Sequence, residues 1–211
     1  MAQRTRGSME NPLPPKVSPA RMRWWVALAA LATVLVAARL VTQLPAFSPS
    51  PYAKYAKGEL TKLSFKFAGQ PAPQIAFTAP DGKPTSLAAF KGKPLLMNLW
   101  ATWCQPCITE LPSLDALQAV MGGEKFQVVA ISMDADDLDT PHAFLAEHKL
   151  SHLPQYSDTK LLMEPALAGP GIPASVLYDA SGHEIARAYG PVDWASAEAR
   201  ALIGALVNSP R

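Results

Sequence analysis

A chain of 211 residues, with 49% hydrophobic and 17% charged residues, can hold one well-buried domain with appendages but is too short for two large domains. The formal net charge is only +2, and several of the basic residues lie near the N-terminus. This distribution of basic residues indicates membrane topology rather than nucleic-acid binding. No basic patch interleaved with aromatic residues is visible, so we predict no nucleic-acid partner.

The N-terminal segment joins a basic stretch to an apolar run. Residues 24–44 are 21 residues with Arg39 as the single charge, close to the roughly 20 that cross a bilayer. Basic residues ahead of such a run place the N-terminus in the cytoplasm. We predict a cytoplasmic basic tail over 1–23, a single-pass transmembrane anchor over 24–44, and export of the rest. The basic residues are Arg4, Arg6, Lys16, Arg21 and Arg23.

A cleaved signal peptide is the alternative for the same segment. The uninterrupted apolar core from Trp24 to Ala38 suits the hydrophobic region of a signal peptide, and Val36-Ala37-Ala38 is an acceptable small-residue cleavage site. Total length favours the uncleaved anchor. Either alternative exports the remaining chain into a compartment that oxidises thiols.

Residues 45–67 are predicted to link the anchor to a folded domain over 68–209. Three prolines between positions 45 and 51 favour an extended tether. Apolar residues then recur among polar ones at Leu60, Leu63, Phe65 and Phe67, which predicts a short added strand within the linker.

The folded domain gives a readable order of elements. Asp81-Gly82 predicts a turn between two short strands, and 87–93 predicts a helical turn. A helix over 106–120 is expected to bury Leu111, Leu114, Leu117 and Val120. This βαβ unit, followed by a hairpin and a last helix, predicts an α/β fold with a mixed sheet covered on both faces. The other predicted elements are strands at 95–100, 126–133, 175–179 and 184–189, and helices at 142–148 and 194–207.

The two cysteines, Cys104 and Cys107, are the only ones in the chain. They follow a buried strand directly, with Trp103 before the first thiol and Pro106 where the first turn of a helix tolerates proline. A thiolate at a helix N-terminus is stabilised by the helix dipole, which lowers a thiol pKa from about 8.5 toward roughly 3.5–7.5. This placement predicts a redox-active dithiol with Cys104 as nucleophile.

A structural disulfide and half of a zinc site are the alternatives for this pair. A zinc site needs further ligands at suitable spacing, and no other cysteine remains. The acidic cluster lacks the spacing of a calcium loop and is interpreted as a solvated loop, and the four histidines are interpreted as surface residues. We predict no metal site and no cofactor. The acidic residues are Asp134, Asp136, Asp137 and Asp139, and the histidines are His142, His148, His152 and His183.

The sequence resembles the membrane-anchored thioredoxin-like thiol:disulfide interchange proteins of the TlpA, ResA and CcmG type. The resemblance is most specific over 98–107 and extends to 169–179 and 190–196. It implies a thioredoxin fold with a central insertion over 134–167 and a single-pass inner-membrane protein whose catalytic domain faces the periplasm. It also implies a reductant of periplasmic clients, namely a copper-delivery protein, a cytochrome oxidase subunit or an apocytochrome c, recharged by a membrane-embedded electron donor.

The resemblance assigns roles to individual residues. Cys104 corresponds to the attacking thiol and Cys107 to the resolving thiol, while Pro173 matches the cis-proline that faces the disulfide. A cis bond there exposes the backbone of Ile172 for strand-like pairing with a client peptide, and an ordinary turn proline is the alternative. We place Trp103 and Pro106 with Ile172 and Pro173 in the client-binding surface.

Glu110 matches the acid of the ResA-like branch. Thioredoxins carry an acid six residues before the first cysteine, but Asn98 stands there and cannot transfer protons. Because Cys107 must lose its proton to resolve a mixed disulfide, Glu110 is a candidate acceptor for that proton. A solvated glutamate in the first helical turn is the alternative.

Three functions remain open from the sequence. The favoured one is a protein dithiol:disulfide oxidoreductase that acts as a reductant. A copper-binding chaperone would use both thiolates as soft ligands, although related carriers of the Sco type have one more residue between the cysteines. A general disulfide oxidase or isomerase is the third.

Overall fold

A seven-stranded mixed sheet forms the centre of the folded domain. The computed structural model describes residues 31–35, 39, 50–135, 137–167 and 169–209. Three short 3-10 helices lie at Ala53–Tyr55, Gly58–Lys62 and Leu87–Phe90. The strands are β1 (Phe77–Thr78), β2 (Pro84–Thr85), β3 (Leu95–Trp100), β4 (Gln127–Ser132), β5 (Gln155–Ser157), β6 (Ala174–Tyr178) and β7 (Glu184–Tyr189), and the α-helices of residues 50–209 are α1 (Gln105–Met121), α2 (Asp139–Glu147), α3 (Met163–Leu167) and α4 (Ala197–Val207).

The strand order is β2-β1-β5-β4-β3-β6-β7. Strands β3, β4 and β5 run parallel, while β6 pairs antiparallel with both β3 and β7. Helix α1 is the crossover between parallel strands β3 and β4, as a βαβ unit requires. The mixed α/β sheet predicted from the sequence is therefore confirmed, and the 134–167 segment adds α2, β5 and α3 to it.

Strand β3 is buried along its whole length. All six of its residues are buried, although successive side chains of a strand point to opposite faces of the sheet. Both faces of the sheet are therefore covered at β3. This strand ends at Trp100, four residues before Cys104, so the cysteine pair follows a fully buried strand.

Helix α1 buries the predicted apolar residues Leu111, Leu114 and Leu117, but Val120 is 72% exposed. The prediction for Val120 was wrong because of helix geometry. Each three-residue step covers about 300° of rotation, so three steps turn the side chain about 180° away from Leu111.

The described part of the predicted linker, residues 50–67, packs on the domain. The predicted added strand is absent from this segment: Gly58–Lys62 forms a 3-10 helix that buries Leu60, and Ser64 makes only an isolated antiparallel bridge to Arg187. The Tyr52 hydroxyl also lies 2.8 Å from the Ser209 hydroxyl. Spacing of three between Leu60 and Leu63 fits a single-turn helix against the core better than a strand. Residues 50–67 therefore pack with the folded domain, although the predicted domain begins at 68.

The predicted tail (1–23) lies outside the described residues, as does most of the predicted anchor (24–44). Residues 31–35 and 39 are helical. Within the described ranges, no helix has the length and apolar character needed to cross a membrane.

Candidate active site

The two cysteines are held at the junction between β3 and α1. Cys104 is the N-cap of α1 and Cys107 lies in its first turn, and the two sulfur atoms are joined in a disulfide with 5.3 Å between the Cα atoms. Pro106 fits because the first helical residues need no hydrogen bond from their backbone nitrogens. The Cys107 amide donates to the Cys104 sulfur at 3.3 Å. This contact and the helix dipole both favour a thiolate on Cys104 after reduction.

The two cysteine residues differ slightly in exposure to solvent. Cys104 is 6% exposed and Cys107 is fully buried, while the neighbouring Trp103 is 69% exposed. This asymmetry favours Cys104 as the residue that meets an incoming disulfide, which is the order of attack and resolution expected from the sequence.

Asp134 supports the loop that carries the cysteines. It is buried and accepts hydrogen bonds from the Thr102 amide at 3.2 Å and from the Thr102 hydroxyl at 2.6 Å. Interpretation of the acidic cluster as a solvated loop was therefore wrong for Asp134, whereas Asp136 lies outside the described residues. Asp137 accepts from the amides of Asp139 and Thr140 at the start of α2. The sequence offered no signal for the Asp134–Thr102 contact because the two residues end neighbouring parallel strands.

Glu110 lies at the centre of a buried hydrogen-bond network one turn after Cys107. Its carboxylate accepts from Asn98 Nδ2 at 3.0 Å, from Trp194 Nε1 at 2.8 Å and from the Val192 amide at 3.2 Å. Asn98 Nδ2 also donates to Ser175 Oγ at 2.9 Å. Glu110 is only 2% exposed, so it is not a solvated first-turn residue.

Burial raises the pKa of Glu110 to about 7, although hydrogen bonds from Trp194, Asn98 and the Val192 amide favour the charged form. Residues three apart on a helix share one face, so Glu110 and the buried Cys107 lie on the same face of α1. A carboxyl group that titrates near neutral pH can accept and return a proton there. Trp194 and Val192 lie in the 190–196 segment that carries the family resemblance, but the sequence predicts no role for either residue.

A groove is lined by the residues that immediately precede Cys104 and the cis-proline. The Ile172–Pro173 peptide bond is cis, as predicted, and Pro173 is buried. The groove has a volume of about 460 Å³ and brings together Trp103 and Ile172 of the predicted client-binding surface. Pro106 is exposed but is not part of its lining. The lining consists of Trp103, Met133, Leu161, Glu164, Pro170, Gly171 and Ile172, which we call the client groove.

A buried ion pair on β7 contacts the end of α3, a helix that contributes Glu164 to the client groove. Arg187 Nε donates to Glu184 Oε1 at 2.7 Å, and Arg187 Nη1 donates to the Leu167 carbonyl oxygen at 2.6 Å. At Gly169, a Cβ atom would lie 2.2 Å from the Tyr189 ring. The polypeptide between α3 and Pro173 is therefore packed tightly on β7. The sequence did not predict these contacts because Arg187 lies within a strand pattern that does not indicate its hydrogen-bond partners.

The Redoxin family profile matches residues 67–204 of the chain, which include both cysteines, Glu110 and the cis-proline. The chain belongs to the Redoxin family.

Two curated relatives of this redoxin are thiol-disulfide or thioredoxin-like proteins of bacilli. It is 33% identical over 82 residues to the thiol-disulfide oxidoreductase ResA of Bacillus thuringiensis subsp. konkukian, covering 39% of this chain and 47% of ResA. It is 42% identical over 64 residues to the thioredoxin-like protein YneN of Bacillus subtilis, covering 30% of this chain and 37% of YneN. The matches thus span less than half the length of each relative.

Several solved structures match over nearly their full length. A Chlorobium tepidum protein assigned as thiol:disulfide interchange protein DsbE is 26% identical, with a TM-score of 0.60, and the match covers 67% of this chain and 98% of that one. These similarities agree with the predicted TlpA/ResA-like family, thioredoxin-like α/β fold and thiol:disulfide oxidoreductase class.

The histidines of this redoxin form no metal centre. Among the described residues, no group of three or more His, Cys, Asp or Glu side chains is placed to hold a metal ion. His152 instead contacts Asp115 of α1, with 2.8 Å between Nδ1 and Oδ2, and its amide donates to the same carboxylate. Asp115 thereby ties α1 to the polypeptide before β5.

Proposed function

We propose that this redoxin is a thiol:disulfide oxidoreductase that reduces disulfides of client proteins. The observation that carries the proposal is the Cys104–Cys107 pair at the N-terminus of α1 with the buried Glu110 carboxyl group one turn behind Cys107. A copper chaperone would use the same thiolates as ligands, but it would not require a buried proton acceptor beside the second one.

The reaction proceeds in two exchanges that transfer two electrons to the client. The Cys104 thiolate attacks one sulfur of the client disulfide, the client S–S bond breaks, and the first client thiolate leaves and takes up a proton from solvent. Glu110 then accepts the proton of Cys107. The Cys107 thiolate attacks Cys104 Sγ, the mixed disulfide breaks, and the second client thiolate leaves and is protonated, which returns the enzyme to the Cys104–Cys107 disulfide.

The direction of the reaction is set by the reduction potential of the pair. Gln105 and Pro106 stand between the cysteines, without the histidine that stabilises the thiolate in oxidant motifs. We therefore expect a potential well below the roughly −120 mV of a strong periplasmic oxidant and nearer the roughly −270 mV of thioredoxin. Equilibration of the protein in glutathione or dithiothreitol buffers measures it. A potential near −120 mV, together with oxidation of reduced peptides, would contradict a reductant and favour the disulfide oxidase.

We further propose that the catalytic domain is exported and stays tethered to the inner membrane. The basic stretch before residues 24–44 supports this topology, and a tether would hold the domain near a membrane-embedded dithiol donor at high effective concentration. The family resemblance supports a copper-delivery protein, an oxidase subunit or an apocytochrome c as client. Carbonate washing of membranes should leave the chain in the pellet, whereas a soluble species beginning after Ala38 would establish a cleaved signal peptide.

A further inference from the structure

The client groove offers a mostly apolar surface lined by the residues that precede Cys104 and the cis-proline. Trp103 directly precedes Cys104 in the chain and Ile172 directly precedes Pro173, so the groove is formed in part by the chain neighbours of both residues. Trp103 is 69% exposed and Leu161 is 40% exposed. Exposed apolar side chains gathered in a concave surface mark a binding site for an apolar partner group.

Glu164 is the charged residue of this lining, among the residues that the structure describes. It lies on α3, is half-buried, and forms no ion pair within the described ranges. The two carboxylates nearest in sequence to the groove walls are already engaged, because Asp134 accepts from Thr102 and Asp158 accepts from the Met163 amide at 2.6 Å. Lys160 lines a separate cleft with Thr78 and Asp158.

We propose that the client groove selects disulfides flanked by an apolar side chain and a basic side chain, with the basic group paired to Glu164. This inference rests on the proposed function and adds the class of client that the site prefers. The apolar group covers Trp103 and Ile172, while the arginine or lysine reaches the Glu164 carboxylate.

The physical reason is the cost of covering an unpaired carboxylate. A client that lies across the groove removes water from Glu164, and this loss is compensated only when a cation replaces the water. Arginine should be preferred over lysine, since its planar guanidinium group can pair with a carboxylate in two places.

The experiment compares disulfide-linked peptides that differ at one position. Each peptide carries a leucine beside its cysteine and an arginine, a glutamine or a glutamate at scanned positions nearby. Reduction by the full-length protein in detergent is followed at low and high salt. At the best position we expect kcat/KM for the arginine peptide to exceed that for the glutamate peptide by about 10-fold, mainly through KM, and the difference to shrink at high salt.

Charge reversal at Glu164 provides the decisive comparison. Glu164→Arg should invert the order of the peptides, so that the glutamate peptide becomes the better substrate. Glu124→Arg is the matched control, because Glu124 is exposed and precedes β4, at the end of the parallel strands opposite to Cys104; it should leave the order unchanged.

Three outcomes separate the proposals. Equal rates for all three peptides with wild-type protein would overturn the charge preference while leaving the oxidoreductase intact. The same order of peptides in wild type and Glu164→Arg would overturn the role of Glu164. Failure of the wild-type protein to reduce any peptide would instead contradict the proposed function.

Discussion

Replacement of Cys104 by serine should abolish turnover, whereas replacement of Cys107 should stop the reaction after the first exchange. Cys104 is 6% exposed and Cys107 is fully buried, so we expect Cys104 to be the residue that attacks a client disulfide. Cys107→Ser therefore retains the attack and loses resolution, and it should accumulate mixed disulfides with clients. Non-reducing gel electrophoresis followed by mass spectrometry measures these adducts and identifies the clients.

The thermal stability of both cysteine variants shows whether a loss of activity is due to unfolding. The disulfide closes a loop of only four residues, so its loss should lower the free energy of unfolding by no more than about 2 kcal/mol. Thermal unfolding of both serine variants and of the reduced wild type should therefore give similar midpoints. Equal amounts of trapped client with the two variants would show that the assigned order of attack is wrong.

The cysteine site could be predicted from the sequence because its parts are close together in the chain. A buried strand, an aromatic residue, two cysteines and a proline occupy 95–107, and each has a local physical role. The cis bond before Pro173 was predicted from family resemblance. Its approach to Trp103 across the client groove depends on the pairing of β6 with β3, which no local pattern encodes.

The environment of Glu110 could not be predicted in the same way. Its position one turn after Cys107 follows from helix spacing, but its burial comes from residues 82 and 84 positions later in the chain, Val192 and Trp194. The packed segment at 50–67 and the support of Thr102 by Asp134 are likewise long-range contacts. Apolar spacing predicted the existence of most elements, while long-range polar contacts decided which acidic residues are buried.

Replacement of Glu110 by glutamine should slow resolution of the mixed disulfide and remove its dependence on pH near 7. Wild-type resolution should accelerate as pH rises through about 7, because the buried carboxyl group must be ionised to accept the Cys107 proton. The variant lacks this base, so we expect a loss of about 100-fold, at the lower end of the effect of general-base catalysis. Stopped-flow measurement of client release from about pH 5.5 to about pH 9 provides the two profiles.

The glutamine variant is a fair test because it can keep the two hydrogen bonds from Trp194 and Val192. Its Oε1 can still accept from Trp194 Nε1 and the Val192 amide. If the Asn98 amide rotates, Asn98 Oδ1 takes the position of Nδ2 and can accept from the new glutamine amide and from the Ser175 hydroxyl. Glu124→Gln, an exposed change, is the matched control and should follow the wild-type profile.

Stability as a function of pH gives an independent measure of the same group. Since the pKa of Glu110 is raised from 4.5 to about 7 in the folded state, the folded chain binds more protons than the unfolded chain between these values. Its contribution to stability therefore falls by about 3 kcal/mol as pH rises through this window, and Glu110→Gln should remove that fall. If the stability profile changes but the rate profile does not, Glu110 is buried without serving as the base for Cys107. If both change together, the titrating carboxyl group is the one that controls resolution.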